Sequence, residues 1–108
     1  MFVNGVWEKG VRGETFQVLN PATGEVLADV ADCNQEDARR AIEVAHASFP
    51  EWASLTAYER SRVLYKAHQL MLERREQLAR VMTQEQGKPL RAALNEVAYG
   101  ADFLLWYA

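Results

Sequence analysis

At Asn34 the hydrophobic period of the chain changes from two to about 3.6, and this switch constrains the fold more than any other feature. Before it, short alternating runs are broken by turn residues. After it, apolar residues recur every three or four positions as far as Ala108. Alternation needs strands and the longer period needs helices, because side chains repeat a face every two residues in one and every three or four in the other. The expected class is mainly α with an N-terminal antiparallel β-hairpin: a hairpin region over residues 1–33 and three helices over residues 34–108.

The strand region carries its own turn signals. In "FVNGVWEKG", Asn4-Gly5 is a preferred two-residue hairpin turn between apolar pieces. In "TFQVLNPATGEVLADV", Phe16 and Val18 share one face before Asn20-Pro21, while Val26, Ala28 and Val30 share one face after Gly24. Two strands alone are marginal in water, so this hairpin is expected to lean on other elements.

Asn34 suits the N-cap of the first helix, with Glu36 and Asp37 in its first turn. Ala38, Ile42, Ala45 and Phe49 form its apolar stripe, which the sequence ends at Pro50. "TAYE", residues 56 to 59, is a capping box that opens a second helix running to about Glu85. Its stripe is Leu64, Ala67, Met71, Leu78 and Met82, and Glu76 and Arg80 can pair four residues apart.

"TQEQGKPL" holds a Gly-Lys pair but no phosphate loop. Such a loop needs a glycine five positions earlier, where Met82 stands, and a Ser or Thr next, where Pro89 stands. Gly87 instead suits a left-handed helix end and Pro89 the start of the next helix. The third helix opens near Leu90, with Leu94, Val97, Ala101, Leu104 and Ala108 on one stripe and Tyr99, Phe103 and Trp106 on another. "DFLLWYA" carries no stop signal, so the chain is expected to be the front piece of a longer protein, cut within this helix. Its open apolar stripes favour self-association.

Composition excludes several classes. The 108 residues, 49% hydrophobic and 25% charged, have the balance of one modest globular domain. A net charge of -3 argues against nucleic acid as the main partner. The basic stretch in the second helix is interrupted by Glu73 and Glu76 and suits a solvated face better than a membrane or partner surface. No apolar run spans a bilayer, no signal peptide is evident, and the single Cys33 fits a reducing compartment, so a cytoplasmic address is expected. Cys33 has acidic neighbours and is set aside as a nucleophile, and His46 and His68 are expected at the surface or boundary with no transition-metal site.

"FVNGVW", "NPATGEVLADV", "EDARRAIEVAHASFPEW", "ERSRVL" and "MTQEQGKPL", in that order, resemble the amino-terminal region of the aldehyde dehydrogenase superfamily along essentially the whole chain. "EQGKPLRAALNEVAYGADFLLWYA" is most similar to the succinate-semialdehyde dehydrogenase branch, with related semialdehyde and betaine-aldehyde branches sharing much of the pattern. The resemblance implies a truncated N-terminal part of the α/β aldehyde dehydrogenase fold, within its cofactor-binding domain. It also implies a homo-oligomeric enzyme that oxidises a small aldehyde substrate to the acid with NAD or NADP. A cysteine thiolate, a glutamate, an oxyanion asparagine and the cofactor-binding residues all lie downstream in the family. This segment is therefore assigned no catalytic and no cofactor-binding residue, and alone it is expected to be inactive and to hold no cofactor.

Two sites follow by resemblance. Glu85 with the carbonyl of Leu19 corresponds to a monovalent-cation site, against the alternative that Glu85 is an ordinary solvated residue at a helix end. Tyr99, Gly100, Phe103 and Tyr107 correspond to the substrate entrance, against the alternative of core packing. A non-catalytic helical interaction module, or an aldehyde dehydrogenase for another semialdehyde or a betaine aldehyde, remain competing readings.

Overall fold

The computed structural model describes residues 1–108. The elements run β1 (Phe2–Val3), β2 (Val6–Trp7), β3 (Thr15–Leu19), β4 (Val26–Ala31), α1 (Gln35–Ser54), α2 (Ala57–Glu73), α3 (Arg75–Gln86) and α4 (Leu90–Tyr107). They group into two compact units: residues 1–19 with 26–54, and residues 20–25 with 55–108.

In the first unit both hairpins are antiparallel. β1 pairs with β2 through Phe2↔Trp7 and Val3↔Val6. Asn4 and Gly5 both take positive φ, 52° and 79°, as a primed turn requires. β3 pairs with β4 so that Phe16 faces Val30 and Val18 faces Ala28, which is the alternation read from the sequence. An irregularity between Val18 and Leu19 interrupts the register at the end of β3.

Helix α1 is anchored by polar groups. Asn34 Oδ1 caps it, accepting from the amides of Glu36 at 2.8 Å and Asp37 at 3.2 Å. Asp37, 1% exposed, accepts from the amides of Val11 at 2.8 Å and Asn34 at 3.0 Å, while Arg40 pairs with Glu8. These contacts turn the 37/40/41/44 side inward. The expected stripe is accordingly left open: Ile42 is 69% and Phe49 62% exposed. α1 also continues past its expected end, running through Pro50 to Ser54. Proline removes one amide donor near the C-terminal end of a 20-residue helix, a local loss that the remaining turns survive, and Ser54 Oγ donates to the Glu51 carbonyl at 2.8 Å.

The second unit contains the turn segment Asn20–Glu25 and three helices, α2, α3 and α4. The Thr56 capping box forms as read: Glu59 N donates to Thr56 Oγ1, and Thr56 N to Glu59 Oε2 at 2.8 Å. The single long helix expected from Thr56 to Glu85 is instead two, so that residues 34–108 hold four helices and not three. The break is at Arg74, with φ -97° and ψ 14°. Between Met71 and Leu78 the stripe has no apolar residue on its face, and Arg74 and Arg75 occupy the middle, so packing offers nothing to hold regular geometry there. Beyond the break the buried position is Ala79, 0% exposed, while Leu78 stays 38% exposed. Ala79, Ala93 and Val97 form the core, with Met71, Met82, Leu90 and Leu94 against it. Gly87 closes α3 in the left-handed region, with φ 70°, and its amide donates to the Thr83 carbonyl at 2.9 Å.

Candidate functional site

Helix α4 has two unlike faces. Ala93, Val97 and Ala101 point inward and are buried. The opposite face carries Tyr99, Phe103, Trp106 and Tyr107, whose spacings of four, three and one keep them on one side of the helix. Tyr99 and Phe103 meet edge to face, with ring centroids 4.9 Å apart at 81°. These four rings and Asp102 line an open groove of about 410 Å³. The lining is aromatic with one acid and no basic side chain, so it offers apolar contact and ring edges rather than a grip on a carboxylate.

A second groove, of about 440 Å³, lies among α2, α3 and α4. Met71, Leu78, Val81, Met82 and Val97 give it an apolar lining, and Glu85, Gln86 and Glu96 give it polar groups. Gly100 belongs here, where an added Cβ would meet Met71 Cε at 3.5 Å. The four expected entrance residues therefore divide: Tyr99, Phe103 and Tyr107 share the aromatic groove, whereas Gly100 shares the second groove with Glu85. Lys88 pairs with Glu96, so Glu85 at the end of α3 has no ion-pair partner. Leu19 closes β3 in the first unit.

The two carboxylates whose titration is displaced sit elsewhere, at helix starts. The Asn34 and Val11 amides hold Asp37 below the usual carboxylate range against the opposing effect of burial. The Thr56 amide and hydroxyl do the same for Glu59. Cys33 is exposed, with Sγ 3.4 Å from Met1 Sδ.

His68 departs from its expected boundary position. It is buried at 9% exposure, and its Nδ1 lies 3.0 Å from the Ala101 carbonyl. A carbonyl only accepts, so Nδ1 carries the proton and donates. The spacing Leu64, His68, Met71 is helical and could have placed it on the inner face.

A dinucleotide's pyrophosphate is received by a helix N-terminus after a parallel strand; both sheets here are antiparallel, and Gly87 closes α3 at its C-terminus, the negative end of the dipole, so neither supplies that cradle.

Residues 7–108 match the family model described as "Aldehyde dehydrogenase family". The chain belongs to the aldehyde dehydrogenase family. It is 48% identical over 107 residues to a glutarate-semialdehyde dehydrogenase of Pseudomonas putida, covering 99% of this chain and 22% of that protein. It is 42% identical over 106 residues to the NADP(+) succinate-semialdehyde dehydrogenase of Escherichia coli, covering 98% and 22%. The crystal structure of succinate-semialdehyde dehydrogenase from Burkholderia pseudomallei superposes with a TM-score of 0.94 at 39% identity, covering 97% of this chain and 22% of that one. The chain thus spans about one-fifth of the length of these aldehyde dehydrogenases. No helix is long and apolar enough to cross a membrane.

Proposed function

We propose that this chain is the N-terminal portion, within the cofactor-binding domain, of an NAD(P)-dependent aldehyde dehydrogenase that oxidises succinate semialdehyde to the dicarboxylic acid. The observation that carries this is the continuity of the likeness: 98% of the chain aligns with one succinate-semialdehyde dehydrogenase, and 97% superposes on another. The chemistry belongs to residues outside these 108, and the segment alone is inactive and binds no cofactor. Its own contribution is the α4 surface. Tyr99, Phe103 and Tyr107, with Gly100 on the adjoining groove, border the substrate entrance, and Glu85 is a ligand of a monovalent cation. The assembled enzyme is a cytoplasmic homo-oligomer, a reading supported by the single cysteine and the open apolar stripe of α1.

A second substrate is favoured by a specific observation. The relatives at 48% and 46% identity from two Pseudomonas species are named glutarate-semialdehyde dehydrogenases, one methylene longer in substrate. The test is to assay the complete protein with succinate semialdehyde, glutarate semialdehyde and betaine aldehyde, each with NAD and NADP. Turnover of a dicarboxylic semialdehyde well above betaine aldehyde is expected. Turnover of neither semialdehyde, or tight NADP binding by the isolated 108 residues in calorimetry, would overturn the proposal.

A further inference from the structure

The fully buried side chains where α4 meets α2 and α3 are small, with Met71, Met82, Leu90 and Leu94 packed around them. Ala79, Ala93 and Ala101 are each 0% exposed and Val97 is 4%. Methyl groups let helices approach closely but offer shallow relief, so ridges and grooves alone resist sliding and rotation weakly. Two directional contacts supply what the packing lacks. His68 of α2 donates from Nδ1 to the Ala101 carbonyl at 3.0 Å, and Arg75 of α3 donates from Nε to the Leu94 carbonyl at 2.9 Å. Leu94 and Ala101 are two turns apart on one side of α4, so the donors grip the same edge at two levels and fix both rotation and axial position.

Ala101 follows Tyr99 by two residues, which places its carbonyl edge roughly 200° around the helix from that ring. A rotation of α4 permitted at the inner edge therefore moves the aromatic rings in full. We propose that His68 and Arg75 are positioning residues for α4, setting the register that places Tyr99 and Phe103 and thereby the substrate-size discrimination of the entrance. This rests on the reading of the aromatic face given under Proposed function.

The test uses the complete enzyme. His68→Leu keeps bulk without a donor, and His68→Asn restores an N–H close to the Nδ1 position. His68→Leu is expected to raise KM for the semialdehyde roughly tenfold with kcat within about twofold, and to alter the preference between four- and five-carbon semialdehydes. His68→Asn is expected to return KM toward wild type. Arg75→Met shifts KM in the same direction and carries the test if His68→Leu does not fold.

Crystal structures of the variants read the register without substrate: Tyr99 moves relative to Met71 in His68→Leu and Arg75→Met, and returns in His68→Asn. Unchanged KM in the donor-less variants, equal effects of Leu and Asn, or an unmoved Tyr99 would each overturn the assignment. If the wild-type enzyme turns over neither semialdehyde, the functional reading fails separately, and the crystallographic comparison still decides the register.

Discussion

The Asp37 carboxylate accepts the amide of Val11 at 2.8 Å across 26 residues of sequence, tying the loop after β2 to the first turn of α1. The same carboxylate takes the Asn34 amide at 3.0 Å. The Asn34 bond is the largest cause of its lowered pKa, the Val11 bond the next, and burial works against them. A carboxylate depressed in the folded state contributes stability that is present above its unfolded pKa and is lost as pH falls through the folded value. The Val11 and Asn34 amides should therefore lose hydrogen-exchange protection below about pH 4. Asp37→Asn should show lower protection at neutral pH and little further loss on acidification. An Asn variant as acid-sensitive as wild type would remove Asp37 from the account.

Gly87 ends α3 with φ 70°, and a Cβ built there would stand 3.2 Å from Pro21 Cγ. Gly87→Ala meets two penalties: the left-handed conformation, about 1–2 kcal/mol for an L-residue, and a contact that has to relax. Gly87→Asn avoids part of the first. The thermal midpoint should fall for both, and more for Ala. Equal midpoints for Gly and Ala would show that α3 ends in another conformation in solution.

Helix starts and turns were legible because their causes are local. Asn34, Thr56, Asn4-Gly5 and Gly87 act on groups within a few residues, and each does what its residue type dictates. The faces were less legible, because they depend on distant partners. Ile42 and Phe49 have the right period, yet α1 turns toward Gly10, Val11 and Glu8 through Asp37 and Arg40, contacts no periodicity encodes. The burial of His68 belongs to the same class, since it depends on how α2 meets α4. At the candidate site, by contrast, spacing puts Tyr99 and Phe103 on one face and Gly100, three residues after Val97, toward the inner side, so their division between two grooves was legible.

Pro50 is tolerated inside α1 rather than required by it. Pro50→Ala restores an amide donor toward the His46 carbonyl, with a gain below the ~3 kcal/mol that separates Pro from Ala in a helix interior, because the site is close to the helix end. Protection of the amides from Glu51 to Ser54 should rise while those of the first turn stay constant. If the last turn exchanges as fast as before, its helical hydrogen bonds do not limit its order.

Tyr99 and Phe103 are 65% and 49% exposed, so truncating either should cost the fold little, within about 1 kcal/mol, including their edge-to-face contact. A role in the entrance would instead appear in substrate binding. In the complete enzyme, Phe103→Ala and Tyr99→Ala should raise KM for the semialdehyde several-fold with the KM for the nicotinamide cofactor unchanged, since the groove they line carries Asp102 and no basic side chain to hold its phosphates. The double variant should show less than the product of the two single effects, because the rings touch and each single loss already disturbs the other. A large drop in stability with KM unaltered would make the stripe packing surface for the rest of the enzyme, and the entrance would have to be sought on another element.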